Sequence, residues 1–360
     1  MPWSGLSRCW GKGGTTQDSN KSYIRRMLHY SKFLRVINLQ GIDIGKDLPE
    51  TISNVAHLHY LGVTSCPLER IPSTIGKLQN LQTFDVRNTS VQQLPIEFWK
   101  IRTLRHVFGD CLILPKRVGD LKDLQTLETI QPDKKNGWDS KTFERMKNLR
   151  TLRIWDFSKH SANAKALSAV MEGSNALQYL ETMELYIDTY NIPLKVFTSN
   201  SRRLSALTLD GEMEILPKES KFRAPNLTFL WLENTKVTQD FIDKISKLPL
   251  TTLILDTMSY VDDQLVFSAS GFQSLTKLEL SDLEHLTKVE IKMLALPELK
   301  DLVAIWYHDE LKIVVQGERE FVKKIKDEDE DLYKCITTIA SKKTGQALTS
   351  RSMKLVVDKR

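Results

Sequence analysis

No run of eighteen apolar residues occurs anywhere in this 360-residue sequence, and its first twenty residues, MPWSGLSRCWGKGGTTQDSN, lack the apolar core of a secretory leader. Those two absences point to a soluble, cytoplasmic protein. Cysteine is scarce as well. Cys9, Cys66, Cys111 and Cys335 lie far apart with no CxxC spacing, which excludes a zinc site or a small disulfide framework and fits a reducing compartment. No GxSxG, HExxH or Cys/His pairing is present, so no nucleophile or hydrolytic metal is expected and the chain does not read as an enzyme. His57 and His59 stand two apart but have no Cys, Asp or third His at ligand spacing, and read as surface or internally satisfied histidines. Neither a metal nor a cofactor is expected.

A basic groove is also missing, despite a net charge of +6. Residues 1–35 hold seven Lys/Arg against one acid and residues 341–360 hold six against one, which leaves the middle of the chain near −5. Positive charge confined to the ends gives the body no footprint for phosphate backbones, so nucleic acid is not an expected partner of the body.

What the sequence has in quantity is self-similarity. LHYLGVTSCPLERIPSTIGKLQN from Leu58 and LQTFDVRNTSVQQLPIEFWKIRT from Leu81 coincide at their apolar positions. Further starts fall at Leu34, Leu104, Leu124, Leu149, Leu180, Leu204, Leu227, Leu250, Leu275 and Leu299, at intervals between 20 and 31 residues. A repeat of this length is the signature of a solenoid, in which one coil cannot bury its apolar face alone but stacked coils bury each other's. Within LQTFDVRNTSVQQLP the apolar positions Leu81, Phe84, Val86, Val91 and Leu94 fit neither a strand nor a helix period. A short strand followed by a turn resolves them: the fourth and sixth positions point inward, the third, fifth and seventh outward, and Val91 and Leu94 return to the same interior before Pro95.

This wording resembles the leucine-rich repeat pattern LxxLxLxxNxLxxLP, met closely from Leu58 to Pro95 and loosely elsewhere. The resemblance implies an α/β solenoid, a horseshoe of about twelve coils with a parallel sheet on the concave face and irregular turns and short helices on the convex face. Its Asn position is filled by Cys66, Thr89 and Thr235, small polar side chains able to bond turn backbone, whereas other coils put Ile42, Leu112 or Met258 there. Cys66 and Cys111, two coils apart, would stand roughly 10 Å from each other, too far for a disulfide, and read as buried thiols. The expected organisation is a flexible tail over 1–21, a cap or linker over 22–33, the solenoid over 34–315, a charged cap segment over 316–345 and a basic tail over 346–360. Ser22 opens SYIRRMLHYSKFL, a candidate first cap; KDEDEDLYK at Lys326 reads as a solvated run. Beyond it Leu332, Cys335, Ile336 and Ile339 recur at helical spacing, a candidate last cap.

Within the repeat proteins, SKFLRVINLQG followed by LPETISNVAHLHYLGVTSCPLERIPSTIGKLQNLQTFDVRNTSVQQLP looks like the repeat domain of plant intracellular nucleotide-binding leucine-rich-repeat disease-resistance proteins. LERIP at Leu68 lacks the glycine of the extracellular LxGxIP type. Sequons at Asn20, Asn88 and Asn226 are discounted in the absence of a leader. The nucleotide-binding module of that family has no counterpart here. GLSRCWGKGG at Gly5 has the wrong spacing, Gly13 in place of the magnesium-binding hydroxyl and no preceding strand, so nucleotide binding is not expected of this chain. A truncated or partial receptor is one expectation from this gap.

The resemblance implies protein recognition through the outward strand positions. The fifth strand position forms the column Asn38, Gly62, Asp85, Phe108, Glu128, Arg153, Glu184, Thr208, Trp231, Ile254, Glu279 and Val303. Aromatics at outward positions, Phe108, Trp155, Tyr186, Phe229, Trp231 and Trp306, are candidate anchors, with Arg153, Asp156, Glu184, Asp210 and Glu233 as a polar rim. The competing reading is that insertions in the sixth, seventh or last coil cover these rings. Expected partners are a pathogen effector, a guarded host protein or a receptor's own switch domain; the alternative is a stand-alone adaptor or ubiquitin-ligase-type scaffold.

Overall fold

The computed structural model describes residues 16–116, 118, 120–133, 138, 142–143, 146–156, 179–188, 191–193, 202–215, 222, 224–305, 311–315 and 357–358. The chain divides into two compact units, Met1–Gln131 and Pro132–Arg360. The split falls where the intervals between strand starts leave their usual 23 or 24 residues for 20, 25 and 31.

In the first unit, helix α1 (Thr16–Tyr30) precedes the strands β1 (Val36–Asn38), β2 (Tyr60–Gly62), β3 (Thr83–Asp85), β4 (His106–Phe108), β5 (Leu112–Leu114) and β6 (Thr126–Pro132). Strands β1, β2, β3, β4 and β6 lie side by side in parallel, with β5 paired to β6. Their register aligns Ile37, Leu61, Phe84, Val107 and Leu127, all pointing inward and all buried. Leu81, Phe84, Val86, Val91 and Leu94 are buried too, as the strand-and-turn reading expects. Behind the sheet, 3-10 turns at Glu50–Asn54, Ser73–Lys77 and Phe98–Lys100 each drop apolar side chains into the core. Prolines 49, 72 and 95 stand at or just before their starts, where a fixed φ suits entry into the turn. Helix α1 buries Ile24 and Leu28, and Asn20 donates to the Asp43 carbonyl.

The second unit repeats the scheme with β7 (Thr151–Asp156), β8 (Thr182–Ile187), β9 (Ala206–Asp210), β10 (Phe229–Glu233), β11 (Thr252–Leu255), β13 (Lys277–Ser281) and β15 (Asp301–Ile305), parallel and in that order. Leu152, Met183, Leu207, Leu230, Leu253, Leu278 and Leu302 form one inward row, all buried. Helix α2 (Gln239–Ile245) packs Phe241, Ile242 and Ile245 behind the sheet. The last coils depart from the expected irregular turns. There β12 (Gln264–Phe267), β14 (Lys288–Ile291) and β16 (Lys312–Val315) form a second parallel sheet. Alternation supports it, since Leu265, Phe267, Val289 and Ile291 are buried while Val266 and Glu290 are not. Strand β17 (Val357–Asp358) pairs with Ala304 and Ile305.

The side chains at the Asn position serve the turns. Thr89 Oγ1 donates to the Val86 carbonyl at 2.6 Å and accepts from Val91 N, and Thr235 Oγ1, buried, donates to the Ser259 carbonyl of the next coil at 3.1 Å. Cys66 accepts from the Leu68 amide. Cys66 and Cys111 are free thiols, half-buried and not fully buried as expected, because both sit at the turn where the strand leaves the sheet. Burial still pushes both thiols up. At Gly211, φ is +133° and a Cβ would run into the Ile187 backbone carbonyl, so strands β8 and β9 separate correctly only over glycine. Among the described residues no helix is long and apolar enough to cross a membrane.

Candidate protein-recognition face

The outward side chains of the second unit form three rows fixed by strand register. The first is Thr151, Thr182, Ala206, Phe229 and Thr252; the second is Arg153, Glu184, Thr208, Trp231 and Ile254. The third places Trp155 beside Tyr186, Tyr186 beside Asp210, and Asp210 beside Glu233. The column read from the sequence for these strands is therefore one physical row. Six candidate residues, Arg153, Trp155, Tyr186, Phe229, Trp231 and Glu233, share this face of one sheet. Phe108 lies in the other unit, and Trp306 lies outside the described residues.

Arg153 holds Glu184 through two parallel bonds, Nε to Oε2 at 2.5 Å and Nη2 to Oε1 at 2.8 Å, and Tyr186 donates to the same Oε2 at 3.1 Å. Paired forks of this kind fix orientation as well as adding energy. The Trp155 and Tyr186 rings lie 5.4 Å apart, tilted by 59°. Burial, then the Glu184 charge, pushes the Tyr186 hydroxyl up to about 12. Both rings are half-buried, packed against each other at outward positions of the sheet. The buried Trp231 Nε1 has no hydrogen-bond acceptor among the described residues.

Carboxylates continue the third row. Asp210 accepts from Asn234 Nδ2 at 2.8 Å, and Asp256 N donates to the Leu232 carbonyl, setting Asp256 one strand beyond Glu233. Burial, then the Asp210 and Asp256 charges, pushes the Glu233 carboxyl up. No cation among the described residues neutralises Asp210, Glu233 or Asp256. One expected rim residue moves: Asp156 shares the parity of Leu152 and Ile154, so it points inward and is fully buried. Asp256 was missed by sequence reasoning, although its 23-residue offset from Glu233 marks it.

On the first unit, Phe108 is half-buried under the Arg87 guanidinium, 4.8 Å from ring centre to Cζ, and stacks with His106 at 6.2 Å. Arg87 in turn grips Asp85 with bonds of 3.0 and 2.6 Å, leaving Asp85 only 5% exposed although it faces outward. Tyr60 lies over Gly62, and burial followed by the Asp85 charge pushes its hydroxyl up. Its neighbours satisfy this cluster. His57 stacks on Phe33 at 5.8 Å, and no group of three or more metal-ligating side chains exists among the described residues.

A family model described as a leucine-rich repeat region matches residues 17–326. Among curated proteins the chain is similar to disease resistance RPP13-like protein 3 of Arabidopsis thaliana, 28% identical over 314 residues, which cover 81% of this chain and 32% of that protein. It is likewise similar to the Arabidopsis disease resistance protein RXW24L, 27% identical over 331 residues, 86% of this chain and 36% of that protein. The chain thus spans about a third of the length of these relatives. Among solved structures, a leucine-rich-repeat protein of Leptospira interrogans shares the fold with a TM-score of 0.52 at 20% identity, covering 92% of this chain and 88% of that one. The repeat ectodomain of the Arabidopsis receptor kinase GASSHO1/SCHENGEN3 gives 0.50 at 20% identity, with 79% and 36% covered.

Proposed function

The chain belongs to the leucine-rich repeat region family, and from that premise we propose that it is the protein-recognition part of a plant disease-resistance receptor, working through the β7–β10 sheet face. Its relatives by name are plant disease resistance proteins. The partner is a pathogen effector, a guarded host protein or the receptor's own switch domain. One observation carries the reading. Aromatic rings lie beside carboxylates that no cation among the described residues neutralises, on rigid strands, with Arg153 and Glu184 locking the floor between them. Half-buried tryptophan and tyrosine anchors on a fixed scaffold match what concentrates binding energy at protein interfaces. The acidic row favours a partner that brings lysine or arginine, steered by charge and seated against the rings.

The test is proximity labelling in plant cells with the chain and two variants of equal fold content. Trp155→Ala with Trp231→Ala and Glu233→Gln should lose the proteins that the unaltered chain labels. Met293→Ser with Leu294→Ser, exposed residues away from this face, should retain them. Identical labelling by all three would refute the assignment.

A further inference from the structure

The loops that lead into the second unit's strands line a cleft of about 780 Å³. Arg202, Pro225, Leu248 and Gln273 each stand four residues before the strand position that register aligns, so one loop position from four successive coils builds its wall. Among the described residues two charged side chains line it, Arg202 and Lys247, and both are cationic. Neither pairs with a carboxylate among the described residues. The Asp243 side chain, one turn before Lys247, accepts instead from Gln239 Nε2 at 2.9 Å.

Hydroxyls and apolar surface complete the lining. Ser270 and Ser274 are exposed with no side-chain partner among the described residues, and Ser270 is held at the rim by a left-handed φ of 62°. The Phe222 ring packs on Phe241 at 5.4 Å and forms an apolar wall with Pro225, Leu248 and Pro249. Helix α2 ends at this cleft, where free carbonyls would repel an anion. They are occupied: Ser246 N bonds the Ile242 carbonyl, Leu248 N the Ile245 carbonyl, Phe272 N the Ser246 carbonyl and Ser246 Oγ the Asp243 carbonyl.

We propose that this cleft binds a small phosphate ester, its phosphate held between Arg202 and Lys247 with the Ser270 and Ser274 hydroxyls donating, and its apolar body against Phe222, Leu248 and Pro249. The loop positions of Arg202 and Lys247 lie two strand steps apart, roughly 10 Å at the backbone, which two long side chains can close onto one anion. The volume suits a small molecule, since such pockets run to roughly 300–1,000 Å³. This site is separate from the recognition face and does not depend on it.

Calorimetric titration of the full chain with phenyl phosphate, inorganic phosphate and phenol tests the proposal. Phenyl phosphate should bind tighter than either fragment, and Arg202→Gln with Lys247→Gln should weaken it on the order of tenfold or more, as loss of charge-assisted bonds does. Both side chains are exposed, so the variant should keep the circular dichroism of the unaltered chain. Lys247→Gln alone serves if it does not. Equal binding by chain and variant, phenol binding as tightly as phenyl phosphate, or no heat up to about 10 mM would each overturn the proposal. Inorganic phosphate binding as tightly as phenyl phosphate would overturn the role of the apolar wall.

Discussion

Phe84→Ala tests whether coils hold each other up. The ring is 0% exposed and sits in register between Leu61 and Val107. It packs on Phe98 from the turn behind the sheet, centroids 4.8 Å apart and planes tilted 53°, and Phe98 packs edge-on against Trp99 at 5.2 Å. Truncation therefore opens a void shared by two neighbouring strands and the return turn of its own coil. A buried Phe→Ala change costs about 3–5 kcal/mol, including the cavity left by incomplete collapse. Urea unfolding reads this directly. With a slope of about 1–3 kcal/mol/M the midpoint should fall by at least about 1 M. Ile96→Ala, in the same unit and 45% exposed, should change stability by less than about 0.5 kcal/mol. A midpoint for Phe84→Ala that matches the Ile96→Ala control, at unchanged slope, would refute the stacking argument.

The remaining predictions rest on individual contacts. Gly211→Ala forces a Cβ toward the Ile187 carbonyl at φ +133° and should destabilise by about 2 kcal/mol or more, seen as a lower thermal midpoint. Thr235→Val removes a buried donor from the Ser259 carbonyl and should cost about 1 kcal/mol in the same assay. Arg153→Met should cost about 1 kcal/mol, discounted because the arginine side chain is 33% exposed; Glu184→Gln in that background should recover part of it. Tyr186 and Tyr260 have folded-state hydroxyls pushed above their ordinary value near 10, both chiefly by burial. The unfolded chain releases these protons first, so their contribution is complete below pH 10 and declines as pH rises toward 12. Thermal midpoints between pH 9 and 11 should fall less in Tyr186→Phe than in the unaltered chain.

The repeat was legible because burial imposes it. Leu81, Phe84, Val86, Val91 and Leu94 all have to reach one interior, and a 23-residue offset carries that demand to the next coil. The strand starts likewise placed Arg153, Glu184, Thr208, Trp231 and Ile254 in one row, since outward residues inherit the register of inward ones. Less could be read where neighbours decide. The half-burial of Trp155 and Tyr186 depends on contact across strands separated by 31 residues, and the Arg153–Glu184 fork needs side-chain directions that spacing does not supply. Asp156 was read by charge when strand parity placed it inside. The second sheet escaped notice because β12 offers four residues of alternation, QLVF, in a region expected to be turn.

Photo-crosslinking from two positions tests the recognition face most directly. Thr252 lies on it, beside Phe229 in register, whereas Met293 is 60% exposed and lies off it. With a photoreactive residue at each site in turn, the account predicts discrete protein adducts from position 252 that disappear when Trp231→Ala and Glu233→Gln are added. Adducts from position 293 alone, or adducts from 252 that survive those substitutions, would contradict it.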